Sequence, residues 1–399
     1  MTEILLSGKK ENCFMSTEVK KGTSSAPIQS SVKNKGRQVE LDLAKALAII
    51  FMIFVHTYEA HWFIENSEEG AGYICAWFIE FLGGVPAAPL FMLAMGVGVV
   101  YSKRSTSVTY LKRAGQIFGL GILVNFFQQW IPIFMRPDVA EEFSANAHSI
   151  IATDIYSFVT VTFLYFALIK TLKKPIPVVA ATLVVCMIVS EVTYPNSIDT
   201  GNVWLDSIIG IFIRTNEYSY FPFFTWALWP LLGYLFGQLL IRTENKTKMY
   251  GIIAATGVIA LIIGTVAINW DPNDNIINSL TEANMDDVGL YYAMDTWNLI
   301  WSYGALAIEM FILYLVVKLT KNKIPALFAY MSKHIMSIYV IQWIFIGLAT
   351  PIFDKITDVF VCLGMGAIVL VLTLVSAWLW DKLMTKIKSG EKKETVKQK

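Results

Sequence analysis

Apolar residues run along this chain in long blocks separated by short polar connections. Blocks long enough to cross a bilayer as helices, roughly 20 residues each, fall at about 41–63, 73–101, 112–134, 151–171 and 176–194. A second set falls at 220–241, 250–269, 294–317, 325–349 and 358–381. The pattern predicts an all-α polytopic membrane protein of about ten transmembrane helices. Two blocks are interrupted. The second contains FLGGVPAAPLFMLAMGVGVV, where Gly83, Gly84, Pro86 and Pro89 predict a break or kink. Gly96 and Gly98 in the same block read as close helix contacts. The sixth opens FPFFTWALWPLLGYLFG, with Pro222 and Pro230. In lipid, backbone groups freed at such breaks must be covered by protein or face a wet cavity.

The connections alternate in charge. YSKRSTSVTYLKR, KTLKKP, IRTENKTK, KLTKNK and the tail DKLMTKIKSGEKKETVKQK are basic. ENSEEGAG, MRPDVAEEFSANAH, SIDTGNVWLD, WDPNDNIINSLTEANMDD and TPIFDKITD are mostly acidic or neutral, with Arg136 and Arg214 as isolated exceptions. Lys and Arg collect in cytoplasmic loops, so the threading places both termini in the cytoplasm. Residues 1–38 are expected to form a disordered basic tail without signal-peptide features. A transmembrane domain follows over 39–383, then a basic tail over 384–399. Composition agrees: of 399 residues, 55% are hydrophobic and 16% charged, against about a quarter charged in soluble domains. The four cysteines are scattered without paired spacing, which argues against a disulfide framework or a zinc site. No metal and no nucleic-acid partner is expected.

The first block, LDLAKALAIIFMIFVHTYE, carries ionisable groups that its hydropathy does not explain. Lys45 and His56 are eleven positions apart, close to three turns of helix, so they share a face roughly 16 Å apart along the axis. Asp42 and Glu59 extend the same stripe, three residues beyond either end. Each charge in lipid costs about 2.5–3.5 kcal/mol at mid-membrane, so four on one line predict a bundle interior or a polar cavity. An Asp42–Lys45 pair snorkelling at the interface is the plainer reading of that end. A histidine with a carboxylate one turn away suits a general base, with Glu59 expected to fix the imidazole tautomer. No Ser-His-Asp ordering, P-loop or GxSxG motif is present.

The pattern LD-x-x-(R/K)-x10-H, here Leu41, Asp42, Lys45 and His56, resembles the acyltransferase 3 family of ten-helix membrane enzymes. The layout is also similar to heparan-α-glucosaminide N-acetyltransferase-like proteins, through VPAAPLFMLAMGVGVVYSKR, YLKRAGQIFGLG, DIYSFVTVTFLYFAL, FPFFTWALWPLLGYLFG and MSKHIMSIYVIQW. Two departures stand out. Lys45 replaces the more usual arginine, keeping charge but losing the planar fork for phosphate. Gln342 stands where the late SxYLxH segment often carries a second histidine.

The resemblance implies transfer of an acyl group, typically acetyl, from cytoplasmic coenzyme A to a hydroxyl or amine of a glycan outside. Acetyl-CoA or another acyl-CoA is then the co-substrate, and the bilayer and an extracytoplasmic carbohydrate are the partners. His56 and Glu59 become the catalytic pair, acting by direct transfer or through an acyl-histidine. Asp42, Lys45, Lys103, Arg104 and Arg113 are expected at an anion-binding donor mouth. Asp154, Trp226 and Glu309 are candidates on the acceptor side, Asp154 and Glu309 because intramembrane charge is functional by default. Lys333 and His334 read as interfacial residues of the ninth block. A multi-pass protein of a bacterial cytoplasmic membrane is the expected setting. A transporter or flippase for a surface glycan or polar solute is the alternative. It calls for paired broken helices in two related halves, and no convincing internal repeat is seen.

Overall fold

The computed structural model describes residues 34–61, 71–103, 105–134, 147–151, 154–193, 197–215, 219–268, 294–353 and 356–397. These are helical almost throughout. Helix α1 spans Val39–His61, α2 Ala71–Leu82, α3 Ala88–Tyr101, α4 Ser107–Asn125 and α5 Ile131–Phe134. Helix α6 spans Ile155–Ile169, α7 Pro175–Thr193, α8 Val203–Ile209, α9 Phe223–Trp226 and α10 Leu228–Leu240. Then come α11 Lys246–Ile268, α12 Thr296–Leu319, α13 Ala326–Lys333, α14 Ile335–Ala349 and α15 Val359–Lys397. Among the described residues, seven helical stretches are long and apolar enough to cross a membrane, and eight if the bent pair α13–α14 is one span. The chain is therefore an all-helical polytopic membrane protein. Helices α1 and α4 occupy two more of the blocks read from the sequence and are not among the eight.

The ionisable groups of α1 are explained by its position. Helix α1 packs against α2, α3, α12, α13, α14 and α15 at once, and Ala44, Ala46, Ile49, Ile53 and Thr57 on it are fully buried. A helix walled by protein can carry polar groups that a lipid-facing one cannot. The lipid-facing role falls to α7 and α11, which expose Val184, Ile188 and Val192, and Ile259, Ile262 and Val266. Around α1 the bundle is built from close pairs: α3 on α10, α4 on α6 and α11 on α12.

The interrupted blocks resolve differently from one another. Gly83–Ala87 forms a π-helical turn with Pro86 inside it, and α2 runs through it into α3 as one stretch, Phe78–Tyr101. The widened turn accommodates the proline's missing N–H. Gly83 there lies directly against the Val55 side chain, where a Cβ would collide, so the turn seats on α1 one residue before His56. In the sixth block Pro222 is the N-cap of α9, and Pro230 sits in the first turn of α10, where no intrahelical bond is lost. The small-residue reading holds for Gly96, whose α-carbon faces the Pro230 carbonyl of α10, and fails for Gly98, which faces open space. Gly233 returns the contact against the Leu93 carbonyl.

The ninth block is not one helix. Helices α13 and α14 meet at His334 with an 83° bend, at a site with neither glycine nor proline. Beyond residue 383, α15 continues as helix to Lys397, while residues 1–33 of the expected tail lie outside the described residues.

The basic connections gather at one end. Asn34 donates to the Ile241 carbonyl after α10, and Lys246 pairs with Glu40 at the start of α1. Lys170, after α6, donates to the Val99 carbonyl of α3 at 3.3 Å, and Lys318 of α12 reaches Thr247 at 3.0 Å. Four connections predicted to share a face, with the segment before α1, therefore do share one end of the bundle.

Candidate active site

The α1 stripe faces the broken helix. At its first end Asp42 accepts hydrogen bonds from Ser332 of α13 and from Arg37, and its carboxylate lies 3.1 Å from the Lys45 ammonium. The carboxylate is largely buried, and the Lys45 side chain keeps 26% of its surface exposed. Two cations against one carboxylate leave one net positive charge at this mouth. The Asp42–Lys45 pair expected from the sequence is thus present, and Ser332 and Arg37 complete it.

At the other end, His56 is partly exposed and held on three sides by α14. Its Nδ1 lies 3.1 Å from the side-chain amide nitrogen of Gln342. Its ring stacks on Trp343, with centroids 4.3 Å apart and planes inclined by 28°. Tyr339 meets it edge-on at 5.9 Å. Residues 339, 342 and 343 have the i, i+3, i+4 spacing of one helix face, so a single face of α14 cups the imidazole. Behind it, Tyr156 of α6 and Phe91 of α3 contact Tyr339, at 5.7 and 6.0 Å between centroids. An imidazolium formed here would rest on the indole face, a cation–π contact of about 0.5–2 kcal/mol. The partner of Nδ1 is therefore Gln342 rather than Glu59, whose side chain makes no hydrogen bond to the ring.

The remaining candidates scatter. Lys103 is exposed and Arg104 lies outside the described residues. Arg113 is placed over the Tyr110 ring at 5.4 Å, on α4, whose main partner is α6. Trp226 is fully buried against Phe221, centroids 4.8 Å apart, so it packs the core and offers no open ring. Glu309 keeps one buried carboxylate oxygen without a hydrogen-bond partner. Asp154 is the N-cap of α6, its Oδ1 accepting from the Tyr156 and Ser157 amides at 2.8 and 3.2 Å. A cap contributes about 0.5–2 kcal/mol over alanine. Asp154→Asn is expected to keep both the melting temperature and the activity within error, whereas Asp154→Ala lowers the melting temperature. Lost activity in a stable Asp154→Asn protein would give the carboxylate a second job. Sequence reasoning missed Tyr339, Trp343 and Tyr156; the first two had a signal in their spacing on one face with Gln342, and Tyr156, on α6, had no local one.

An apolar cleft of about 230 Å³ lies elsewhere, between α3, α10, α11 and α12, lined by Leu93, Leu235, Phe236, Tyr250, Tyr303 and Met310. It touches neither His56 nor Lys45. Among the described residues, no cluster of His, Cys, Asp and Glu could hold a metal ion.

The described helices thus form a bundle whose central helix carries a cupped histidine and a cationic mouth. A family model described as an acyltransferase domain, Acyl_transf_3, matches residues 38–379, and the chain belongs to that family of acyltransferases. Neither the curated proteins nor the solved structures give a match.

Proposed function

We propose that this protein moves an acyl group, acetyl in the simplest case, from cytoplasmic acyl-CoA to a hydroxyl or amine of an extracytoplasmic glycan. The observation that carries the reading is the joint placement of Lys45 and His56 on α1, both facing the α13–α14 element. One is a partly exposed cation for an anionic donor; the other is a cupped imidazole for proton transfer. The charge rule assigns the basic end to the cytoplasm, which puts Lys45 on the donor side and His56 in the outer half. The extended pantetheine arm of coenzyme A suits the roughly 16 Å rise between them.

In the chemical step His56 takes the proton from the acceptor O–H or N–H. The freed lone pair attacks the thioester carbonyl carbon, the tetrahedral centre collapses with cleavage of the C–S bond, and the imidazolium returns its proton to the leaving thiolate. Trp343 supports the imidazolium through its ring face. Asp42, fixed by Arg37 and Ser332, orients Lys45. Arg113 and Lys103 extend the positive field from α4 and the loop before it.

Lys45→Ala is expected to raise the KM for acetyl-CoA about tenfold, the equivalent of one charge-assisted contact of about 1.4 kcal/mol, with kcat nearly unchanged. Initial rates of thiol release in membranes across acetyl-CoA concentrations check this. An unchanged KM removes Lys45 from the donor site.

A further inference from the structure

Gln342 is completely buried, and its amide nitrogen faces His56 Nδ1 at 3.1 Å while its carbonyl oxygen Oε1 is buried without a hydrogen-bond partner. This arrangement has a chemical consequence. An amide N–H donates, so Nδ1 must accept, and in a neutral imidazole the proton then sits on Nε2. Such a ring has no lone pair on Nε2 with which to take a proton from an acceptor. A half-turn about the Gln342 Cγ–Cδ bond exchanges the two ends of the amide without moving another group. Oε1 then accepts from Nδ1–H, and Nε2 becomes the base. Each orientation leaves one end of the amide unpaired, so neither is locked.

We propose that Gln342 is a positioning residue that sets the tautomer of His56, its half-turn converting the imidazole between a proton donor and a base at Nε2. This rests on the acyl-transfer reading only for its kinetic consequences. The tautomer itself is a property of the resting protein. Other titratable groups lie around this region on the surrounding elements: Tyr339 on α14, Glu59 on α1, Glu80 on α2, Asp154 and Tyr156 at the head of α6, and Cys362 on α15. Glu59 and Glu80 interact with each other, and Tyr339 with Asp154 and Glu59. None of them hydrogen-bonds the imidazole, so the amide of Gln342 has the direct hold on Nδ1.

The test uses the full chain in detergent micelles, labelled with ¹⁵N-histidine. The chain has four histidines, so the His56→Ala spectrum assigns the ring by subtraction. Gln342→Glu puts an acceptor-only group at Nδ1 and is expected to pin the proton there. Gln342→Leu offers no partner and is expected to give a tautomer mixture different from wild type. In acetyl-CoA thiol-release assays Gln342→Leu should lower kcat about tenfold with KM unchanged. In Gln342→Glu the carboxylate stabilises the imidazolium, so as pH falls the base is protonated, and activity lost, sooner than in wild type. The acid limb of its profile should move up by about one unit. Identical ¹⁵N shifts for wild type and both variants overturn the proposal, even if His56→Ala abolishes turnover. If instead the tautomer follows residue 342 while His56→Ala leaves turnover intact, the positioning role stands and the acyl-transfer reading falls.

Discussion

His56→Ala is expected to lower acyl transfer by about 10²–10⁴-fold, the usual contribution of a positioned general base, in a protein that still folds. The side chain is partly exposed, and its contacts are one hydrogen bond and two rings on α14. The core packing of α1 rests on Ala44, Ala46, Ile49 and Ile53 instead. Loss of turnover should therefore not come with loss of the monodisperse peak in gel filtration. Surface-glycan acetylation in cells, alongside thiol release in membranes, measures the effect. Wild-type levels of both in the alanine variant would remove His56 from the chemistry. Export of glycan that stops while residual glycan stays acetylated would favour the transporter reading.

Gly233→Leu is expected to destabilise the bundle by about 3 kcal/mol, the upper part of the usual overpacking range. The side chain would enter the backbone of Leu93, and reciprocally Gly96 lies against the Pro230 carbonyl. Backbone on both sides cannot step aside as a flexible side chain can, so α3 and α10 would be forced apart. Helix α3 also packs against α1, so activity should fall with stability. Gly98→Leu is the control: nothing lies within 4 Å of a Cβ there, and its melting temperature in detergent should match wild type. Equal melting curves for wild type and Gly233→Leu would show that this contact gives way easily.

The polar line of α1 was legible because helical periodicity depends only on spacing within one segment, and eleven positions close three turns whatever surrounds them. What the line faces was not legible. Gln342 lies 286 positions from His56, and no local pattern joins them; the sequence pointed to Glu59, one turn away, because near neighbours are all that periodicity can propose. The 83° bend at His334 was hidden for a related reason: breaks are read from glycine and proline, and here the α13 segment turns away to place Ser332 on Asp42. Asp154 shows the opposite limit. An ionisable residue beside an apolar block reads as functional, yet the same residue type at the first turn of a helix satisfies amides that would otherwise be unpaired. Trp226 was read as an outer-side ring and turned out to fill the core, since sequence does not reveal which aromatics of a girdle point inward.

Helix α15 has 39 residues, about 58 Å of rod at 1.5 Å per residue, against a hydrocarbon layer about 30 Å thick. Even strongly inclined it cannot be contained in lipid, so its lysine-rich final turns stand clear of the surface as a mast. A reporter or affinity handle fused after it is expected to be carried into open water, clear of the bundle.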